Sequence, residues 1–265
     1  MNNALTGLTE NAGVAADNDF LGGFSCLESD VYDFNIEHAY VTQSAGGATA
    51  VNFSFIGANN AKLRTTIYVS SGAAKGSKNT YEKKNKEGKM ETHYLPGFNQ
   101  VNALCYMTAG QPLAALASTC EKKTLMLYDF DKKGEVATEV DMIMGLVKQN
   151  ITAAVLKQVV DKKSKNSSFD PNAPVSATNQ AYLPTGETRE ENEVDKFFRT
   201  SDKLTFVEIS KGVTESVFMT SWLKKWKGKD KDKTSKTGIV AGAPGATGAP
   251  SQPAAAAPLF ANQAQ

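Results

Sequence analysis

Between Lys75 and Tyr94 six lysines, Lys75, Lys78, Lys83, Lys84, Lys86 and Lys89, are interleaved with three ring-bearing residues, Tyr81, His93 and Tyr94. Ammonium groups neutralise phosphates and ring faces accept unstacked bases, so this mixture is what an unpaired nucleic-acid strand requires of a surface. Stacking adds about 1–3 kcal/mol per base, so two or three rings are enough to matter. A lysine-rich loop alone is most often a solvated excursion; the rings set this one apart. Just upstream, Lys62, Arg64, Thr66 and Tyr68 alternate with Leu63, Thr65, Ile67 and Val69. Strand spacing therefore aims one ring and two cations at the surface opposite an apolar face.

Catalytic chemistry finds no comparable constellation. The two histidines, His38 and His93, are far apart in the chain, and no His-x-x-x-His pair or carboxylate cluster has metal-ligand spacing. A Gly-x-Ser-x-Gly elbow, a phosphate-binding Gly-x-x-x-x-Gly-Lys and a dinucleotide fingerprint are all missing from the sequence. Asp129, Asp131 and Asp141 sit on or beside a turn, where they serve turn geometry. No catalytic residue, metal or cofactor is expected.

The net charge is +1, yet the charges are sorted into blocks. Acidic blocks run Glu28 to Glu37 and Glu187 to Asp195; basic blocks run Lys75 to Lys89, Lys157 to Lys165 and Lys224 to Lys236. A polyanion responds to the local potential, so a neutral protein can still carry a cationic groove. The three cysteines, Cys26, Cys105 and Cys120, lack Cys-x-x-Cys spacing and read as buried thiols in a reducing compartment. With no basic-then-apolar leader and no apolar run near the ~20 residues of a membrane span, the sequence is expected to be soluble, intracellular and without a membrane partner.

Three alternating runs precede the lysine segment. They are Val31 to Val41, with Tyr32, Phe34, Ile36 and His38 on one face, Ala48 to Ile56, with Val51, Phe53 and Phe55, and Lys62 to Ser70. Ser44-Ala45-Gly46-Gly47 and Gly57-Ala58-Asn59-Asn60 are the turns between them. Phe34, Phe53 and Phe55 are expected in the core, and Tyr32 and Tyr40 half-buried. The lysine segment reads as a protruding hairpin turning at Asn85 to Gly88. A helix follows over Phe98 to Ala109, with Val101, Leu104, Cys105 and Thr108 at helical spacing and Gly110 as its C-cap.

Thr124 to Phe130 and Glu135 to Val140 read as another hairpin, Met142 to Gln149 as a short helix, and Ile151 to Val160 as a closing strand. Asn166 to Thr188 reads as a polar loop, Glu193 to Phe198 as an aromatic pair packing on the core, and Thr214 to Lys225 as a helix. Trp222 and Trp226, spaced i, i+4, are expected to pack that helix on the core. The organisation is a flexible leader over 1–28, one mostly β domain over 29–226 and a Lys-rich, then Ala/Pro/Gly-rich, flexible tail over 227–265.

Several of these segments carry a family resemblance. Ile67-Tyr68-Val69-Ser70-Ser71-Gly72, Lys75-Gly76-Ser77-Lys78-Asn79-Thr80-Tyr81, Tyr94-Leu95-Pro96-Gly97-Phe98, Val194-Asp195-Lys196-Phe197-Phe198 and Trp222-Leu223-Lys224-Lys225-Trp226 resemble the single-stranded-DNA-binding proteins of tailed bacteriophages, including the lytic short-tailed kind. The resemblance spans most of Val31 to Lys236. It implies an OB-fold β-barrel with an inserted hairpin and accessory helices, holding single-stranded DNA without reading sequence. Contacts carried over by position are Arg64, Tyr68, Lys75, Lys78, Tyr81 and the neighbouring lysines. Implied partners are phage replication and recombination proteins and, for late transcription, host RNA polymerase; the implied location is the host cytoplasm. One departure is plain: many strand-coating proteins end in an acidic tip, whereas Ala254 to Gln265 has no acid, leaving Leu259-Phe260 as a short apolar docking point. Two rivals are a β-rich virion assembly protein and a magnesium-dependent enzyme of nucleic-acid metabolism.

Overall fold

A computed structural model describes residues 26–129, 132–170, 176 and 178–234. The expected leader up to residue 25, Asp131 of the expected turn and the tail beyond Thr234 lie outside the described residues. The fold is mostly β, organised around an open antiparallel sheet. Its first three strands are β1 (Asp30–Gln43), β2 (Thr49–Gly57) and β3 (Lys62–Tyr68), the meander that the alternation predicts. In β3, Leu63 and Ile67 are buried while Lys62, Arg64, Thr66 and Tyr68 are exposed.

Strand β1 departs from simple alternation. Its register against β2 passes from Ile36 opposite Phe55 to His38 opposite Ser54, so Glu37 is an extra residue, a β-bulge. The inward positions are Phe34 and Ile36 before the bulge and Ala39 after it, all buried. His38 was expected beside Ile36 on the inner face; the extra residue turns it outward, and Tyr40 with it.

The next strands, β4 (Thr80–Lys84) and β5 (Met90–Tyr94), form the expected hairpin as a separate two-stranded sheet. Helix α1 (Pro96–Ala109) follows, capped by Gly110 in the left-handed region at φ 67°, with Val101, Leu104 and Cys105 fully buried. Its first turn lies against the end of β3: a Cβ on Gly97 would come 2.1 Å from the Tyr68 carbonyl oxygen. Only glycine permits that approach.

After the short α2 (Leu113–Ala117), β6 (Glu121–Asp129) and β7 (Gly134–Met142) make the second hairpin. The short helix expected over Met142 to Gln149 is only a 3₁₀ turn at Met144–Leu146, because Met142 is still paired in the sheet. Strand β8 (Asn150–Lys165) outruns its expected end, and β9 (Tyr182–Phe198) begins inside the segment expected to be loop. Cross-strand pairing explains the extension: Lys162 meets Glu187 at 2.6 Å and Lys157 meets Glu190 at 3.3 Å, so basic and acidic blocks that look like solvated loop compensate each other in the ladder. Two short helices, α3 (Phe206–Ser210) and α4 (Val217–Trp226), and the two-residue β10 (Lys231–Asp232), parallel to β8, complete the described fold.

The sheet curls around rings. Phe53 and Phe55 stack at 5.4 Å, and Phe197 of β9 lies 6.4 and 6.0 Å from them, with α1 against the same cluster. Each such side chain contributes about 1.5–3 kcal/mol on burial. Phe198 points the opposite way, as strand alternation demands, and joins Ala154, Leu156 and Trp222 of α4 in a second cluster. Trp222 donates its indole N–H to Asp195 at 2.7 Å, and both tryptophans pack as expected.

Gly97→Ala should lower the free energy of unfolding by about 1–3 kcal/mol, the range for an overpacked site, in denaturant melts. Three paired carboxylates predict an acid limb. Burial would raise the Asp33 carboxyl, but hydrogen bonds from Lys203 and Thr152 outweigh it and hold it below its ordinary value. Arg199 does the same for Asp202, and Lys162 for Glu187. Their stabilisation is complete above the ordinary carboxylate range of about 4 and drains as pH falls through the lowered values, so the melting temperature should hold from about pH 5 to 8 and drop below about pH 4.

Candidate nucleic-acid interface

The outward face of β1, β2 and β3 carries polar residues in register. Rows run His38, Ser54, Arg64, then Tyr40, Asn52, Thr66, then Thr42, Ala50, Tyr68, with Lys62 opposite Ile56 at one end. Over this face lies a cavity of about 420 Å³ whose floor includes His38, Tyr40, Asn52, Lys62 and Arg64 and whose other wall is Leu125, Met126 and Leu127 of β6. Two cations, two rings and several hydrogen-bonding groups thus face an apolar wall. That is the combination that holds a nucleotide: charge for phosphate, a ring face and an apolar wall for the base.

Electrostatics tie the floor together. Partial burial pushes the Tyr40 phenol above its ordinary value, while the Arg64 guanidinium pulls part of that rise back. His38 lies 3.6 Å from Glu37, the bulged residue, which also lines the cavity. Asn52 donates to the Thr42 hydroxyl at 2.7 Å, and the Thr66 hydroxyl donates to Asn52 at 2.6 Å.

The lysine hairpin is anchored next to this face but divides its rings. Ser71 donates its N–H to the Lys78 carbonyl at 2.8 Å, Leu95 donates to Asn79 at 2.8 Å, and Ala73 donates to Gly46 in the β1–β2 turn at 2.8 Å. The base of the hairpin is therefore held beside the end of β3, where Tyr68 stands. Tyr81 lies opposite His93, ring centroids 5.8 Å apart, with Lys83 on that same face. Tyr94 pairs with Thr80, one position out of phase, so it and Lys84 face the other way, and Tyr94 stacks on Phe98 of α1 at 4.9 Å. Lys86 and Lys89 flank the tip, where the Asn85 side chain accepts the N–H groups of Glu87 and Lys89. Lys75 ends a 3₁₀ turn, Ala73–Lys75, in the connection from β3.

Of the residues expected from sequence, Lys62 and Arg64 line the cavity, Tyr68 ends the neighbouring row, and the hairpin residues are spread over two faces. His38, Tyr40 and Asn52 were not among them. Bulge parity hid the first two; the one available signal was the slip in apolar spacing from Phe34 and Ile36 to Ala39 and Val41. Asn52 was a polar residue between core Val51 and Phe53, and the apolar wall of β6 comes from a segment about seventy residues further along the chain.

Which basic block stays available is decided by pairing. Lys157 meets both Glu28 and Glu190, Lys162 meets Glu187, Lys227 meets Asp30, and Lys231 and Lys233 meet Glu193. Among the described residues no carboxylate forms an ion pair with Lys62, Arg64, Lys75, Lys78, Lys83, Lys84, Lys86 or Lys89. Among the described residues the two acidic blocks thus compensate five lysines of the other basic blocks and none of the cations of β3 and its hairpin. Among the described residues no group of histidine, cysteine and carboxylate side chains has the geometry of a metal centre, and no helix is long and apolar enough to cross a membrane.

No protein-family model, curated protein or solved structure matches the chain.

Since Arg64 holds the Tyr40 phenol down against burial, Arg64→Ala should move the Tyr40 ionisation to higher pH. An alkaline ultraviolet titration compared with that of Tyr40→Phe checks this, and an unchanged Tyr40 transition would separate the two side chains.

Proposed function

We propose that this chain binds single-stranded DNA without sequence selection, laying the strand across the outer face of β1–β3 and onto the lysine hairpin, as a coating protein of phage replication and recombination. The observation that carries this reading is the set of cations without ion pairs on β3 and the hairpin, beside a cavity that also holds rings. Solvent-facing cations release counterions when they meet phosphate, which gives affinity without reading bases. Tyr40, Tyr68 and Tyr81 supply the stacking, and the apolar wall of β6 shields the bases from water.

The sheet reads as that of an OB-type barrel. A three-strand meander is followed by the β4–β5 hairpin, by α1 packed on the core, by the β6–β7 hairpin and then by β8 and β9, and Phe197 of β9 meets Phe53 and Phe55 of β2. OB folds bind strands on this kind of outward face, with loops closing over it. The phage family resembled by the sequence adds the proposed partners: replication and recombination proteins, and host RNA polymerase in late transcription, within the host cytoplasm. The proposed binding uses no cofactor and makes or breaks no bond in the strand.

Fluorescent oligonucleotides titrated at several salt concentrations test the reading. The wild-type log Kd should rise linearly with log salt, and each of Lys62→Ala, Arg64→Ala, Lys78→Ala and Lys83→Ala should reduce that slope by about 0.7, the value for one lost phosphate contact on a single strand. Tyr40→Ala, Tyr68→Ala and Tyr81→Ala should weaken binding by about five- to a hundredfold at all sequences with the slope retained. Affinity and slope unchanged in every variant would reject the interface.

A further inference from the structure

We infer that Asn52 is a reversible receptor for the Watson–Crick edge of an unpaired base, able to engage all four bases by turning its amide over. The inference rests on the strand-binding reading above and adds a base contact to it. A side-chain amide has two N–H donors and an oxygen with two lone pairs. One N–H of Asn52 goes to Thr42 on β1 and one lone pair takes the hydroxyl hydrogen of Thr66 on β3, so both lateral positions are used by the flanking strands. What remains is one N–H and one lone pair, and Asn52 lines the cavity. Tyr40 stands directly beside it in register, placed to stack on a base whose edge meets the amide.

The neighbours make the amide ambidextrous. A hydroxyl both donates and accepts, so Thr42 and Thr66 satisfy the amide equally well when its oxygen and nitrogen exchange places. Adenine and cytosine present an amino donor beside a ring-nitrogen acceptor, whereas guanine and thymine present a carbonyl acceptor beside a ring N–H. One order of amide atoms pairs with the first two bases and the reverse order with the others. In a duplex all four edges are already paired, so this contact selects unpaired bases while tolerating any sequence. Phosphate contacts alone would not distinguish a base from a bare backbone.

The test compares, at one salt concentration, oligothymidylate with the same oligomer carrying N3-methylthymine throughout. The methyl group removes the ring N–H from the edge but leaves the stacking face and the phosphates. Wild-type protein should bind the methylated oligomer about tenfold more weakly, and Asn52→Leu, of similar volume and with its thermal melting checked, should bind both oligomers equally at the weaker level. Equal wild-type affinity for the two oligomers overturns the inference and leaves the strand-binding reading standing, whether or not the variant folds. A wild-type protein that binds neither oligomer overturns both.

Discussion

Everything outward of the core depends on one strand changing partners. β1 is hydrogen-bonded to β2 along most of its length, but its other edge serves β8 from Asp30 to Asn35 and β7 at Tyr40 and Val41. The handover occurs at the Glu37 bulge, where Ile36 exchanges backbone bonds with Gln149 and Lys148, and Ile143 donates to Ala39. A bulge adds twist and shifts side-chain parity at once. The shift in parity turns His38 and Tyr40 out towards β6. Two residues of the cavity floor therefore owe their place to a single extra residue.

Electrostatic sorting is the second organising fact. Individually, exposed ion pairs such as Lys162 with Glu187 add only ~0–1 kcal/mol. Their collective effect is to assign each acidic block a basic partner, across β8–β9 and at the junction of Ser29, Gly228 and β10, where Gly228 donates its N–H to Ser29 at 2.8 Å. None of these pairs draws on the cations of β3 or the hairpin, and among the described residues Lys163, Lys165, Lys224 and Lys225 form no ion pair either. The same pairs that add little to stability thus set which lysines already have a carboxylate beside them.

The division of the hairpin's rings between two faces limits how many of them one strand can meet. Tyr81 and His93 lie on one face; Tyr94 is taken up by Phe98 and joins the hairpin to α1. Stacking against α1 makes Tyr94 a support, while Gly97 sets the helix tight against the Tyr68 backbone. Hairpin, helix and third strand consequently hold one another through backbone bonds and close approach, not through an extended sheet.

Much of the architecture was legible along the chain because it follows from local periodicity. Alternation marked β1 to β3, helical spacing with a glycine cap marked α1, and the lysine segment announced its hairpin, since each of these patterns is set by neighbours two to four residues apart. The end of β8 and the start of β9 were hidden, as charged residues read as loop until a strand of opposite charge lies beside them. The site was legible by half: Lys62 and Arg64 follow from the parity of an unbroken strand. Tyr40 and Asn52, the wall of β6, and the choice of which lysines stay unpaired belong to tertiary structure alone, because a bulge is specified by the partners on either side of a strand, and charge neutralisation depends on distances that only folding creates.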